Sequence, residues 1–174
     1  MKLANFLRAI VFAVAAAFLI FNQDHTVTTG TQVLQFVATG LAFGGLVLFQ
    51  IDKSAEKKFA IIYPSAIAAL VVLLTIIFTP TTEEAYLAVF TGLLAIFSGM
   101  TAVIEFFASR VSESVDKMEL RISAGIGALF CLVFWFAPLN GLNAVGFFSA
   151  YLAIVAVQRG VWLATPKAKE QNGK

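Results

Sequence analysis

Residues 85–107 read AYLAVFTGLLAIFSGMTAVIEFF, a run of 23 residues in which Glu105 is the only charged side chain. A helix that crosses a lipid bilayer needs about 20 mostly apolar residues. The rest of the chain has a similar composition, since 60% of its 174 residues are hydrophobic and 13% are charged. Soluble domains carry about 25% charged residues and cannot bury so much apolar surface. The composition therefore predicts a membrane protein.

Five further segments have the same apolar character. Short polar stretches separate the resulting six spans, which cover residues 4–21, 32–50, 59–78, 85–107, 120–137 and 142–164. The spans lack the alternation of apolar and polar residues that is typical of membrane β-barrel strands. We expect an all-α integral membrane protein with six transmembrane helices in one domain, residues 1–164, and a disordered cytoplasmic tail, residues 165–174.

The charged residues are distributed unevenly between the two sides of the predicted bundle. All 12 Lys and Arg residues fall on the side that carries the N terminus, whereas the opposite loops carry Asp24, Glu83 and Glu84. Lys and Arg concentrate in the cytoplasmic loops of membrane proteins, so we expect both termini in the cytoplasm. The small net charge of +2 excludes nucleic acid as a main partner.

Short segments recur along the chain. Residues 90–98 in the fourth span resemble residues 148–156 in the sixth, residues 39–44 in the second fit the same pattern, and Pro80 and Pro138 occupy equivalent turns. The pattern predicts tandem helical hairpins of one orientation, which are related by an axis along the membrane normal. The hairpins cover approximately residues 4–50, 59–107 and 120–164. A pseudo-threefold bundle, a row and a two-plus-one arrangement all remain open.

The segment RISAGIG at residues 121–127, together with Pro138 and residues 151–160, resembles the HdeD-like family of bacterial acid-resistance membrane proteins. A weaker similarity occurs around residues 80–99, so about half of the chain is covered. The resemblance implies a short, six-helix, hairpin-repeat protein of the cell inner membrane that is associated with stress. It implies no established reaction and no catalytic residues. The first hairpin departs from the family pattern, because residues 22–25 replace the turn that contains proline.

Four ionisable side chains lie at comparable depth near the predicted cytoplasmic ends of the spans: Glu105, Arg8, Arg121 and Arg159. Ionisable groups within membrane spans are functional candidates. They are interpreted here as a candidate intramembrane polar network. We favour a structural ion-pair network that closes the cytoplasmic face of the bundle. In the alternative interpretation the network handles protons, with Glu105 as the proton-linked residue.

Thr39, Thr91 and Ser149 occupy equivalent positions in the second, fourth and sixth spans. If these helices meet at an axis, the three side chains form a hydroxyl ring around it. The favoured alternative is that each hydroxyl bonds to a backbone carbonyl one turn earlier in its own helix.

Two pairs of small residues have the spacing of helix-packing motifs, namely Gly40 with Gly44 and Ser123 with Gly127. Small residues let helix backbones approach closely in lipid, either within the bundle or in a homo-oligomer. We expect contacts within the bundle.

The residues needed for catalysis or metal binding do not occur in a suitable pattern. His25, which lies beside Asp24 in an outer loop, is the only histidine, and Cys131 is the only cysteine. We therefore expect no enzymatic activity, metal or cofactor. His25 is a pH-sensor candidate because histidine titrates near neutral pH.

These patterns favour a non-enzymatic, polytopic inner-membrane protein that acts through helix packing with lipid or with membrane proteins. A stress or acid-resistance role follows from the family resemblance. One alternative is a small transporter or channel with a path along the repeat axis, and another is an accessory subunit of a membrane complex. A water-accessible axis lined by the three hydroxyls would favour transport, whereas a dry, packed axis would count against it.

Overall fold

The computed structural model describes residues 2–51, 55–111 and 114–164. These residues form six α-helices: α1 (Lys2–Phe21), α2 (Val27–Ile51), α3 (Ala55–Ile77), α4 (Glu83–Val111), α5 (Ser114–Phe136) and α6 (Gly141–Ala164). The predicted all-α fold class is confirmed for this part of the chain. The predicted tail, residues 165–174, lies outside the described residues.

Polar residues cap the starts of α2, α4 and α6. The side-chain oxygens of Thr26, Thr82 and Asn140 accept hydrogen bonds from the backbone N–H groups three residues later, at 3.2, 3.3 and 2.8 Å. Such caps satisfy N–H groups that have no partner within the helix. The cap at Thr26 explains why α2 begins at Val27, before the apolar span that the sequence predicts from residue 32.

The helices pack most extensively in the pairs α4 with α5, α2 with α3, and α1 with α6. Helices joined by the predicted outer turns, such as α5 and α6, contact each other less, so the predicted hairpins follow chain connectivity rather than the closest packing. Helices α2, α4 and α6 each contact the other two. We call the centre of these three helices the inner axis. It is filled by buried apolar side chains, among them Leu34, Val37, Phe90, Leu94, Val145, Phe148 and Leu152.

Gly30 lies where the three inner helices converge. A Cβ atom at this position would lie 2.7 Å from Cζ of Phe90 on α4 and 3.0 Å from Cγ2 of Val145 on α6. Nearby, the rings of Phe90 and Phe148 meet edge to face, with their centroids 5.9 Å apart. The absence of a side chain at Gly30 therefore permits the close packing of α2 against both neighbours.

Four helices are long and apolar enough to cross a membrane, judged by length and composition within the described residues: Val27–Ile51, Glu83–Arg110, Lys117–Phe136 and Gly141–Ala164. Two shorter apolar segments, Asn5–Phe21 and Ile62–Ile77, belong to α1 and α3. These four helices are compatible with a membrane-embedded protein. The crossing of α1 and α3, which the sequence predicts, stays a prediction.

Candidate functional site

Arg159 on α6 connects four helices through its guanidinium group. Nη2 pairs with Oε1 of Glu105 on α4 and donates to Oγ of Ser123 on α5 at 3.0 Å. Nη1 donates to Oδ1 of Asn5 on α1 at 3.5 Å. We call these four residues the Arg159 cluster. It joins α1, α4, α5 and α6 near the end of the bundle that carries the N terminus.

All four side chains of the Arg159 cluster are buried. Glu105 and Asn5 are 5% exposed, as is Ser123, and Arg159 is 7% exposed. A buried charge is tolerated when it is paired and hydrogen-bonded, because the pairing compensates for lost hydration. The carboxylate of Glu105 supplies that compensation for Arg159. The cluster therefore has the composition of a structural ion-pair network.

Arg8 on α1 is half-buried and lies close enough to Arg159 for the two cations to repel each other. The carboxylate of Glu105 pairs with one of these two neighbouring guanidinium groups. Neutralising Glu105 would leave Arg159 without its carboxylate partner. This arrangement fits the structural ion-pair network, and a proton-handling role for Glu105 stays a prediction.

Two atoms of the ion pair, Oε2 of Glu105 and Nε of Arg159, are buried and make no hydrogen bond within the described part of the chain. One is an acceptor and the other is a donor, and both belong to side chains that already pair. A side-on, bidentate arrangement of a guanidinium with a carboxylate satisfies both atoms at once. The pair itself can therefore satisfy these atoms, and no ligand is needed to explain them.

A second polar contact connects α5 and α6 beside the Arg159 cluster. Nε2 of Gln158 donates to the backbone oxygen of Glu119 at 3.3 Å and lies 3.4 Å from its Oε2. Because α5 and α6 otherwise contact each other little, polar side chains supply much of the contact between them at this end of the bundle.

The structure brings together three residues of the predicted polar network, namely Arg8, Glu105 and Arg159, and places Arg121 elsewhere. Arg121 is exposed on the outer face of α5. Ser123 lies two positions after Arg121, which corresponds to a rotation of about 200° around the helix, so the two side chains face opposite ways. The network also contains Asn5, which the sequence analysis missed. Asn5 could have been predicted from its position one turn before Arg8, on the same face of α1.

The three predicted hydroxyl positions do not surround the inner axis. Thr39 is exposed, Thr91 is half-buried and Ser149 is buried. The Thr91 hydroxyl donates to the backbone oxygen of Leu87 at 2.9 Å, one turn earlier in its own helix. The exposure of Thr39 follows from the rotation of α2, which turns Val37 and Ala38 inward instead.

Small residues bring α4 and α5 into close contact. A Cβ atom on Gly127 would lie 2.8 Å from the backbone oxygen of Ser98, and one on Gly99 would lie 2.8 Å from Sγ of Cys131. Backbone cannot yield as a flexible side chain can, so Gly127 is the more constrained position. The sequence analysis identified Gly127 but not Gly99.

The remaining predicted residues make looser contacts. A Cβ atom on Gly40 would meet Val11 at 3.4 Å, an ordinary contact distance, whereas Gly44 has open space around it. His25 is half-buried in the loop between α1 and α2, where its Nδ1 lies 3.4 Å from the backbone oxygen of Gln23. A pH-sensing role for His25 stays a prediction.

No group of three His, Cys, Asp or Glu side chains that could hold a metal ion occurs within the described ranges. No protein-family model, curated protein or solved structure matches this chain.

Proposed function

We propose that this protein crosses the bacterial inner membrane six times, with both termini in the cytoplasm. The sequence assigns all 12 basic residues to one side of the predicted spans, which supports this topology. The four long apolar helices support membrane insertion. Helix α1 packs against α2 and α6, and helix α3 packs against α2 and α4.

We further propose that the protein is not an enzyme and acts through its outer helix faces, by contact with lipid or with other membrane proteins. One observation carries this proposal: buried apolar side chains fill the inner axis, whereas the outside presents further large apolar side chains. Phe43, Phe107 and Trp135 are 69%, 64% and 64% exposed. In a membrane, such side chains face lipid or a partner helix, which can be a second copy of the chain or a subunit of a larger complex.

The inner axis supports this proposal over transport. A transport path along it would have to displace Leu34, Phe90 and Phe148, which are all 0% exposed. At the end that carries the N terminus, the Arg159 cluster ties α6 to three other helices. Transporters commonly place polar groups and broken helices near the midplane. Here the side chains that fill the inner axis are apolar.

The stress or acid-resistance role is proposed on the HdeD-like resemblance of residues 121–127, Pro138 and residues 151–160. In this proposal, the protein contributes to survival in acid through its association with the membrane or its proteins, without a reaction of its own.

Purification of the tagged full chain in mild detergent, with protein and lipid analysis of the same sample, tests the proposed mode of action. We expect a homo-oligomer, a stoichiometric membrane partner or retained lipid. A lipid-free monomer that carries a solute flux after reconstitution would contradict it.

Single cysteines test the topology separately, because Cys131 is the only native cysteine. In a Cys131→Ala background, cysteines at His25, Thr81 and Asn140 should all react with a membrane-impermeant maleimide from outside the cell. Protection of any one of the three, with labelling restored in broken cells, would contradict the six-span topology.

A further inference from the structure

A groove on the outer face of α5 combines two cationic side chains with apolar ones. Lys117, Met118, Arg121 and Ile122 line an open cavity of about 490 Å³. Arg121 is exposed, and Met118 and Ile122 are 67% and 43% exposed. Residues four apart share a helix face. Lys117 and Arg121 therefore follow one another along the groove, and Met118 and Ile122 form a parallel apolar row.

The position of the groove along α5 places its cations at the boundary of the apolar span. The span that the sequence predicts in α5, residues 120–137, begins between Lys117 and Arg121. Lys and Arg side chains near the end of a span extend toward the headgroup region while their methylene groups stay in the apolar layer. In the proposed topology, this end of α5 lies in the cytoplasmic leaflet.

Lys117 and Arg121 give the groove two positive charges. Glu119 lies two positions after Lys117, about 200° around the helix, and contacts Gln158 on α6. The Glu119 carboxylate therefore contacts α6, whereas Arg121 is exposed in the groove. A single phosphate group offers the complementary charge, and an acyl chain offers the complementary surface for Met118 and Ile122.

We propose that this groove binds an anionic phospholipid of the cytoplasmic leaflet. The phosphate lies between Lys117 and Arg121, and an acyl chain follows Met118 and Ile122 toward the middle of the membrane. This lipid binding rests on the proposed function, in which the protein is inserted in the membrane and its outer helix faces contact lipid. It assigns one lipid class to one face of one helix.

The test is native mass spectrometry of the purified full chain with phosphatidylglycerol and, separately, with phosphatidylcholine. A cation that contacts the bound headgroup in the groove should strengthen binding of an anionic lipid about fivefold, the equivalent of about 1 kcal/mol. Lys117→Gln and Arg121→Gln should therefore each weaken phosphatidylglycerol binding about fivefold, and the double variant should weaken it about 25-fold. Phosphatidylcholine binding should be unchanged.

Arg110→Gln is the matched control. Arg110 is exposed at the same end of α4, where its guanidinium carbon lies 5.1 Å from the centre of the Phe106 ring rather than in the groove. This variant should bind phosphatidylglycerol like the wild type, and Arg121→Lys, which keeps the charge, should do so within about twofold. Thermal unfolding followed by circular dichroism checks that each variant is folded.

Equal losses of phosphatidylglycerol binding in Arg110→Gln and Arg121→Gln would overturn the proposal. They would indicate that the lipid is attracted to all basic residues at this end of the bundle rather than to the groove. Wild-type binding by the folded double variant would overturn it as well, and so would a loss of binding in Arg121→Lys. Extraction of cell membranes with alkaline carbonate separates this failure from that of the proposed function. A chain that stays in the membrane without preferring phosphatidylglycerol refutes the groove alone, whereas a chain that is extracted refutes the membrane assignment.

Discussion

Replacing Glu105 by Gln tests the ion pair at the centre of the Arg159 cluster. The substitution preserves the size of the side chain but removes the charge that compensates Arg159, whose side chain is 8% exposed. Breaking a buried ion pair by removing one partner costs about 3–5 kcal/mol, because the remaining charge is left uncompensated. Arg8 adds a second cation nearby. We therefore expect Glu105→Gln to lower the free energy of unfolding by about 3–5 kcal/mol.

The double variant Glu105→Leu, Arg159→Met separates the charge effect from loss of packing. Replacing a buried ion pair by apolar residues of similar volume is often neutral or stabilises by about 1–4 kcal/mol. Here the gain is offset because Asn5 and Ser123 lose their donor, at about 1–3 kcal/mol for each unpaired group. The serine hydroxyl can instead bond to a carbonyl in its own helix. We expect the double variant to lie within about 2 kcal/mol of the wild type.

The assay is equilibrium unfolding in mixed micelles with increasing dodecyl sulfate, followed by circular dichroism. Glu84→Gln is the control, because Glu84 is an exposed carboxylate in the first turn of the same helix. Its loss should stay below about 1 kcal/mol. Two results would refute a structural role for the Glu105–Arg159 ion pair. In one, Glu105→Gln is no more destabilising than Glu84→Gln; in the other, the double variant is as unstable as Glu105→Gln.

Three further predictions concern helix packing, helix capping and the proposed stress role. Gly127→Ala should lose about 1–3 kcal/mol in the same assay, since its Cβ would lie 2.8 Å from the backbone oxygen of Ser98. Gly44→Ala, in open space, should be neutral or stabilising by up to about 1 kcal/mol, and equal losses for both glycines would contradict the close α4–α5 contact. Asn140→Ala should cost about 0.5–2 kcal/mol through loss of the cap on α6. Asn143→Ala, which leaves the capping oxygen in place, should cost less, and the reverse order would refute the capping role. Deletion of the gene should reduce survival after acid shock, and unchanged survival would remove the support for the stress assignment.

The sequence was sufficient to predict the helical fold, because apolar runs interrupted by charged loops have few alternatives in a membrane. Helix ends were less predictable. Hydropathy indicates where a span is apolar, whereas the cap at Thr26 extends α2 into a polar segment. The packing of the helices was not predictable from the same pattern. The close contact of α4 with α5 depends on which faces of the two helices present Gly99 and Gly127, and several rotations would fit the sequence equally well.

The same reasoning explains which site residues could be predicted. Glu105 and Arg159 are so unusual within apolar spans that their pairing is a natural expectation. Asn5 and Ser123 are small and neutral, so their part in the cluster depends on helix rotation alone. Thr39 was predicted to line the inner axis because it matches Thr91 in the sequence, but Thr39 is exposed and Thr91 is half-buried.

Cysteine accessibility at the inner axis tests most directly the claim that the interior is closed. Val37 and Val145 are both 0% exposed, and cysteine is close to valine in size. In a Cys131→Ala background, Val37→Cys and Val145→Cys should resist a small, membrane-impermeant methanethiosulfonate in intact cells and react once the protein is unfolded in dodecyl sulfate. Asn140→Cys in the outer loop should react in both conditions. Rapid labelling of Val37→Cys or Val145→Cys in intact cells would show a water-filled path along the axis and would contradict the proposed function.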